Sequence, residues 1–157
     1  MTMMNRVTGQ KKELPHIRIY TDGACRGNNK EGKQPGGWGY VIIFQDHIKE
    51  DKGYFKATTN NVMELMAAIK ALRALKRFDL PVDIYSDSQY LVSTMNEHWA
   101  KNTNRQYWKE LYEQLSKFAE VSFIKVKGHS ADTLNARADK LANEALDEYK
   151  KIQGGNK

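Results

Sequence analysis

Hydrophobic and polar residues alternate along several stretches of the chain, and a period of two is typical of β-strands. The alternation predicts strands at residues 16–22, 82–87 and 121–127. Two more strands are predicted at 38–45 and about 47–56, joined as a hairpin. The segment between the first and second strands is rich in Gly, Asn and Lys, which predicts a loop.

Apolar residues recur at helical spacing in the remaining segments. The first helix is predicted to begin near Asn61 and to bury Leu65, Ile69 and Leu72. Further helices are predicted at about residues 88–101, 105–120 and 133–151. The order β-β-β-α-β-α-α-β-α combines a hairpin with β-α-β crossovers, so it predicts an α/β fold with helices packed on a five-stranded mixed sheet.

Composition agrees with one folded domain, because 157 residues with 40% hydrophobic content can bury a sizeable core. We expect a flexible basic lead-in at 1–14, the domain at 15–152 and a polar tail at 153–157. No apolar run approaches the roughly 20 residues that span a bilayer, and the first residues lack the apolar centre of a signal peptide. A cytoplasmic protein without a membrane partner is therefore expected. We also expect a monomer.

The charge distribution bears on possible partners. The chain carries a formal net charge of +6, with the basic excess at its two ends and a slightly acidic middle. A basic excess alone is weak evidence for nucleic acid binding. A polyanion that met the acidic middle would need a cation between them.

Two of the predicted strands end alike in a hydroxyl residue followed by aspartate, at Asp22 and Asp87. Taken singly, Asp22 can start a turn and Asp87 can cap a helix. Taken together, they predict two carboxylates at the carboxyl edge of the sheet, which is where ligands bind in open α/β sheets.

Two further acids, Glu64 and Asp139, lie beside the apolar stripes of their predicted helices. Either can be an ordinary flanking residue, but a charge against a packed face is costly unless it is paired or binds a metal. Four converging carboxylates favour a hard divalent cation such as Mg²⁺. The only cysteine is Cys25, so a thiolate zinc cage and an internal disulfide are excluded.

Several segments around these acids occur together in one protein family. They are Tyr-Thr-Asp-Gly-Ala-Cys-Arg-Gly-Asn at 20–28, Thr-Thr-Asn-Asn-Val-Met-Glu-Leu at 58–65, Tyr-Ser-Asp-Ser-Gln-Tyr at 85–90 and Lys-Gly-His at 127–129. With Asp139 ten residues after the histidine, they closely resemble type 1 ribonuclease H, in order, from about residue 16 to about 150.

The resemblance implies a ribonuclease H-like fold and an endonuclease that cuts the RNA strand of an RNA–DNA hybrid, leaving 3′-hydroxyl and 5′-phosphate ends. It also implies that Asp22, Glu64, Asp87 and Asp139 hold two Mg²⁺ ions, with Mn²⁺ as a substitute and Asp22 as the bridge. Two such ions about 4 Å apart can align the attacking water and the leaving oxygen. His129 would assist proton transfer or product departure, although a lone loop histidine is often only solvated.

The resemblance further implies a set of substrate contacts. Polar groups would reach the minor groove, where the RNA strand displays its 2′-hydroxyls: Asn28, Asn60, Asn61, Gln89 and the backbone around Cys25. Thr59 would hold a phosphate of the DNA strand, and Trp99 would pack on a deoxyribose. Alternatives remain open, since Asn60-Asn61 can be a helix N-cap and Trp99 a core residue.

The chain departs from the family pattern in three places that concern affinity for the hybrid rather than the acids. Many relatives carry a basic, tryptophan-containing protrusion, but only eight residues separate Trp99 from Trp108 here. Ala57 stands where the phosphate pocket often has an arginine, and Lys56 is the nearest replacement. The loop at 28–38 is longer than the common form and adds two lysines, Lys30 and Lys33.

Three other classes of protein share part of this sequence pattern. A non-catalytic hybrid-binding module would be expected to lack one of the acids, and all four are present. A transposase or junction resolvase shares acids at strand ends but not the Thr-Thr-Asn-Asn and Lys-Gly-His surroundings. A domain of a reverse transcriptase is not excluded by the length.

Overall fold

The computed structural model describes residues 4–5, 10–11, 13–26, 32–97, 101–127 and 133–155. Its main sheet has five strands in the order β5-β4-β3-β6-β7. The strands are β3 (Ile17–Cys25), β4 (Gln34–Phe44), β5 (His47–Thr58), β6 (Pro81–Ser86) and β7 (Glu120–Lys125). A pair of two-residue strands precedes them, β1 (Met4–Asn5) and β2 (Gln10–Lys11), inside the predicted lead-in.

The sheet is mixed, as the order of elements predicted. β3, β4 and β5 pair antiparallel, whereas β3, β6 and β7 pair parallel. The carboxyl ends of β3 and β6 therefore lie side by side at one edge of the sheet, and the two predicted aspartates belong to these strands.

Four helices cover the two faces of the sheet: α1 (Asn60–Arg73), α2 (Gln89–Glu97), α3 (Arg105–Leu115) and α4 (Thr133–Gly155). The main core lies between the sheet and α1, α2 and α3, and the predicted stripe of Leu65, Ile69 and Leu72 is buried in it. On the other face α4 packs against Tyr20, Val41 and Ile43. No helix in the described part of the chain combines the length and apolar character needed to cross a membrane.

The first strand was predicted to end at Asp22, and this boundary is wrong. β3 continues to Cys25 because its pairing with β4 continues, with Asp22 opposite Gly39 and Cys25 opposite Gly36. The predicted loop is accordingly shorter, since β4 already begins at Gln34.

The ends of two helices also differ from the prediction. Thr59, not Asn60 or Asn61, is the N-cap of α1, and its Oγ1 accepts a hydrogen bond from the Val62 N–H at 3.3 Å. Helix α3 ends at Leu115 instead of about residue 120, since Glu120 already pairs with Pro81 as the first residue of β7.

Candidate active site

Asp22 and Asp87 lie side by side at the carboxyl edge of the sheet. The parallel register pairs Tyr20 of β3 with Tyr85 of β6, so the residue two positions on in each chain segment is an aspartate. Asp22 is buried within β3, and Asp87 is half-buried directly after β6. The predicted juxtaposition of these two carboxylates is confirmed.

Glu64 reaches the same edge from α1, because this helix packs closely against β3 at Gly23. A Cβ on Gly23 would lie 2.5 Å from the carbonyl carbon of Met63 and 2.6 Å from the backbone nitrogen of Glu64, so only glycine fits there. The Gly23 N–H donates a hydrogen bond to the Glu64 carboxylate. The other oxygen, Oε1, is buried without a hydrogen-bond partner among the described residues.

Three carboxylates converge at this point. One oxygen each from Asp22, Glu64 and Asp87 lies within 4.8 Å of the others. Asp139, an exposed residue of α4, comes within hydrogen-bonding reach of the Asp22 carboxyl. The structure therefore brings the four predicted acids to one place, with Asp139 at the open side of the group.

The electrostatics of the cluster show how costly it is without a cation. Burial, followed by the charge of Glu64, raises the pKa of Asp22 to about 10. Burial and the charge of Asp87 raise the pKa of Glu64 well above its ordinary value, against the hydrogen bond from Gly23. The atoms of this cluster that could ligate a metal ion are all carboxylate oxygens, and hard divalent cations prefer oxygen ligands of this kind.

Comparison with known proteins assigns the chain to a family. The family model described as RNase H matches residues 15–147. The chain belongs to the RNase H family. The resemblance to ribonuclease H that the sequence motifs indicated is thereby confirmed.

Individual relatives agree with this assignment. A ribonuclease H of Clostridium botulinum is 45% identical over 149 residues, which cover 87% of this chain and 99% of the relative. One from Chlorobaculum parvum is 46% identical over 145 residues, covering 84% of this chain and 96% of the relative.

Solved structures of the family are also similar. RNase H1 from Halobacterium salinarum NRC-1 superposes with a TM-score of 0.71 at 31% identity, covering 85% of this chain and 98% of that one. LC11-RNase H1, solved in complex with an RNA/DNA hybrid, has the same TM-score, identity and coverage.

The residues predicted to touch the substrate of an RNase H lie around the acids where the structure describes them. Asn60 and Asn61 are exposed in the first turn of α1, and Gln89 is the exposed first residue of α2. Thr59 is half-buried at the cap of α1. Asn28, Trp99 and His129 lie outside the described residues, so their predicted roles stay predictions.

Cys25 lies at the end of β3, half-buried near the cluster. Burial and the nearby Glu64 raise the pKa of its thiol to about 11. A thiol that stays protonated at neutral pH is a poor nucleophile, so the Cys25 side chain is unsuited to act as a nucleophile in the chemistry.

Sequence reasoning missed Asn143, which positions the fourth acid. Its Nδ2 donates to the backbone oxygen of Asp139 at 2.9 Å and to Asp139 Oδ1 at 3.2 Å. Arg26 in turn donates to the Asn143 carbonyl oxygen at 2.9 Å. The spacing of four residues between Asp139 and Asn143 on one helix is the only sequence signal for this contact.

A cavity of about 360 Å³ lies between the start of α1 and the start of α3, at the Ala57 and Thr59 positions for which the sequence resemblance implied a phosphate pocket. Thr59 lies on one wall, as do Ala57 and Thr58, and the opposite wall is formed by Asn104 and Arg105. We refer to it as the α1–α3 cavity.

Proposed function

We propose that this chain is an endonuclease that hydrolyses the RNA strand of RNA–DNA hybrids and leaves 3′-hydroxyl and 5′-phosphate ends. Membership of the RNase H family supports the proposal. The observation that carries it is the convergence of Asp22, Glu64 and Asp87, with Asp139 at their open side. A protein that only bound hybrids would gain nothing from carboxylates held together at such electrostatic cost.

The four acids fit divalent metal ions. Glu64 Oε1 is buried and lacks a partner among the described residues, and Asp22 holds its proton far above the ordinary pKa. A cation would satisfy both groups. We propose that Asp22, Glu64, Asp87 and Asp139 would hold two Mg²⁺ ions, with Mn²⁺ as a substitute. When bound, such ions supply an activated water and stabilise the leaving oxygen of a phosphodiester.

The remaining residues bind and orient the hybrid in this proposal. Asn60, Asn61, Gln89 and Asn28, with the backbone at Cys25, read the minor groove, where 2′-hydroxyls distinguish RNA from DNA. The position of the described ones supports this role: Asn60 and Asn61 lie about one helical turn before Glu64 on α1, Gln89 follows Asp87 by two residues, and all three are exposed. Thr59 holds a phosphate of the DNA strand, Trp99 packs on a deoxyribose, and His129 assists proton transfer or product departure.

The test is incubation of the protein with end-labelled RNA–DNA hybrid, RNA duplex and DNA duplex, each with Mg²⁺, with Mn²⁺ and with a chelator. We expect cleavage of the RNA strand of the hybrid alone, only with a divalent ion, and products that a polymerase can extend from the 3′ end. Binding of the hybrid without cleavage in any metal would contradict the proposal. Size-exclusion chromatography of the same sample tests the expected monomer, and cell fractionation tests the expected cytoplasmic location.

A further inference from the structure

Asp139 differs from the other acids of the cluster in how its side chain is held. Asp22 and Glu64 are 5% and 8% exposed, so packing fixes their carboxylates. Asp139 is exposed on α4, where packing restricts its carboxylate less. A site loses affinity when one of its ligands has to be ordered on binding. The orientation of Asp139 towards Asp22 therefore depends on hydrogen bonds.

One such contact comes from Asn143, one turn further along α4. Its Nδ2 donates to Asp139 Oδ1 at 3.2 Å and to the Asp139 carbonyl oxygen at 2.9 Å. A carboxamide is a neutral donor, so this contact limits rotation of the Asp139 carboxylate without pairing its charge. The charge stays available to a cation, and Asp139 still reaches the Asp22 carboxyl.

Asn143 is tied in turn to the strand that carries Asp22. Arg26 follows directly after β3, and its N–H continues the pairing with β4 by donating to the Pro35 carbonyl oxygen at 3.2 Å. The guanidinium Nη2 donates to the Asn143 carbonyl oxygen at 2.9 Å and pairs with Asp147 Oδ1 at 3.0 Å. Arg26 thus binds one turn of α4, since Asn143 and Asp147 are four residues apart on one helix face.

Steric contacts alone do not supply this alignment. An added Cβ on Gly39 of β4 would lie 2.7 Å from Leu141 Cβ, and one on Gly37 would collide with the Ala142 carbonyl oxygen, so α4 packs closely on β4. Contacts of this kind limit how near the helix comes. Hydrogen bonds are directional, and those of Arg26 determine which residues of α4 face the end of β3.

We propose that Arg26 is a positioning residue for the proposed metal ligand Asp139: by holding the Asn143 turn of α4 at the end of β3, it keeps the Asn143 amide in place to orient the Asp139 carboxylate towards the cluster. The inference rests on the proposed function and deepens it. It gives a residue outside the cluster control over the affinity of the site for a divalent ion.

The test is a Mn²⁺ titration of the protein without nucleic acid, in which the EPR signal of free Mn²⁺ is measured for wild type and Arg26→Gln. The Kd for Mn²⁺ is expected to rise about three- to tenfold, the loss that one or two hydrogen bonds produce. The direction is decisive, because removal of a positive charge near a cation site by itself strengthens cation binding. A weaker site therefore indicates positioning instead of a charge effect.

Lys52→Gln is the matched control, since it removes the same charge from another side chain that joins the sheet to α4. Lys52 pairs with Glu148 at 2.8 Å and with Glu144 at 3.5 Å, and its hydrogen bond to α4 goes to Glu144 instead of Asn143. Because such partly exposed ion pairs contribute little, its Kd for Mn²⁺ should stay within about twofold of wild type.

A second variant keeps the test decisive if Arg26→Gln does not fold, which thermal melts monitor. Asn143→Ala removes the amide and suits a helix interior, because alanine has the highest helix propensity. Its Kd for Mn²⁺ should also rise. Arg26→Gln added to Asn143→Ala should raise the Kd by less than it does in wild type, because the step from Asn143 to Asp139 is already lost.

Three results would overturn the inference: a Kd of Arg26→Gln at or below the wild-type value, a wild-type Kd in Asn143→Ala, or an equal rise by Arg26→Gln in both backgrounds. If wild type cleaves hybrid and one of these results is found, the positioning role alone is overturned. A wild-type protein that cleaves no hybrid overturns the proposed function, and the inference falls with it.

Discussion

At the scale of single residues, the four acids could be recognised in the sequence because each carboxylate stands where a strand or helix would normally keep an apolar or neutral group. Their different exposure could not be predicted. Glu64 is 8% exposed because α1 is pressed against β3 at Gly23, whereas Asp139 lies on the exposed side of α4. A helical pattern places both acids beside an apolar stripe. Which of the two is buried depends on how closely each helix packs against the sheet, and the sequence pattern does not show that distance.

The raised pKa of Asp22 predicts how stability depends on pH without metal. The folded state holds this proton up to about pH 10, whereas the ordinary value is 3.8. The contribution to stability is therefore fully present below about pH 3.8 and is lost as the pH rises towards 10. Asp22→Asn removes this titration. The free energy of unfolding of the variant should therefore be about 1–3 kcal/mol higher than that of wild type near pH 8, and the difference should be smaller at about pH 5.

Thermal melts with a chelator between about pH 5 and 9 measure this difference. Asp46→Asn is the control, because the side chain of Asp46 is 93% exposed in the β4–β5 turn. Added Mg²⁺ should stabilise wild type and leave Asp22→Asn nearly unchanged. If the melting temperatures of wild type and Asp22→Asn differ by the same amount at every pH, the electrostatic account is refuted.

At the scale of elements, the strands and helices were predicted from periodicity, and the mixed sheet from their order. The boundary of β3 was not, because an aspartate followed by glycine is typical of a turn. Here the strand continues, and Gly23 serves the approach of α1 instead. Thr59 as the cap of α1 was also missed, since three neighbouring polar residues are all good caps and the sequence does not choose among them.

The close approach of α1 and β3 predicts that Gly23→Ala is damaging. An added Cβ would lie 2.5 to 2.7 Å from atoms of Met63 and Glu64 in α1, so the helix would have to shift. We expect a loss of about 1–3 kcal/mol, typical of overpacking. The cleavage rate should fall by more than the loss of folded protein explains, because Glu64 moves with α1.

Gly32→Ala provides the comparison for this substitution. Gly32 has φ +85° and nothing within 4 Å of an added Cβ, so only backbone strain opposes the change. Urea unfolding and cleavage rates of both variants test the prediction. Wild-type stability and cleavage in Gly23→Ala would show that the close approach is not required.

At the scale of the whole molecule, some of the lysine and arginine side chains form ion pairs with acidic side chains and others do not. On the α4 face Lys52 pairs with Glu148 at 2.8 Å and Arg137 pairs with Glu50. Lys33 and Arg105, at the α1–α3 cavity, have no acidic partner within the described residues. These two cations, on the side of the sheet where α1 and α3 pack, thus remain free to bind phosphates.

This distribution extends the expectation that lysines compensate for the missing basic protrusion, which remains a prediction. Four lysines flank β3 in the sequence: Lys11, Lys12, Lys30 and Lys33. Changing all four to Ala should raise KM for the hybrid. It should also flatten the slope of log KM against log salt, by about 0.7–0.9 for each phosphate that the variant no longer neutralises. The chemical step should survive, because phosphate contacts position the substrate.

A variant of equal charge controls for the change in net charge. It carries Ala at four exposed lysines on other parts of the surface: Lys49, Lys76, Lys117 and Lys150. KM measured against salt concentration for wild type and both variants decides the question. Identical slopes for the two variants would mean that only the net charge matters.

The most direct test of the whole account is the single-turnover cleavage rate of a saturating RNA–DNA hybrid in Mg²⁺, compared between wild type and Asp22→Asn. The substitution keeps the shape of the side chain and removes the charge at the centre of the cluster. We predict a rate at least about a hundredfold lower, because the activated water and the stabilised leaving oxygen both depend on the bound ions, with hybrid affinity in a chelator unchanged. A rate within tenfold of wild type would contradict the assignment of the four carboxylates as the active site.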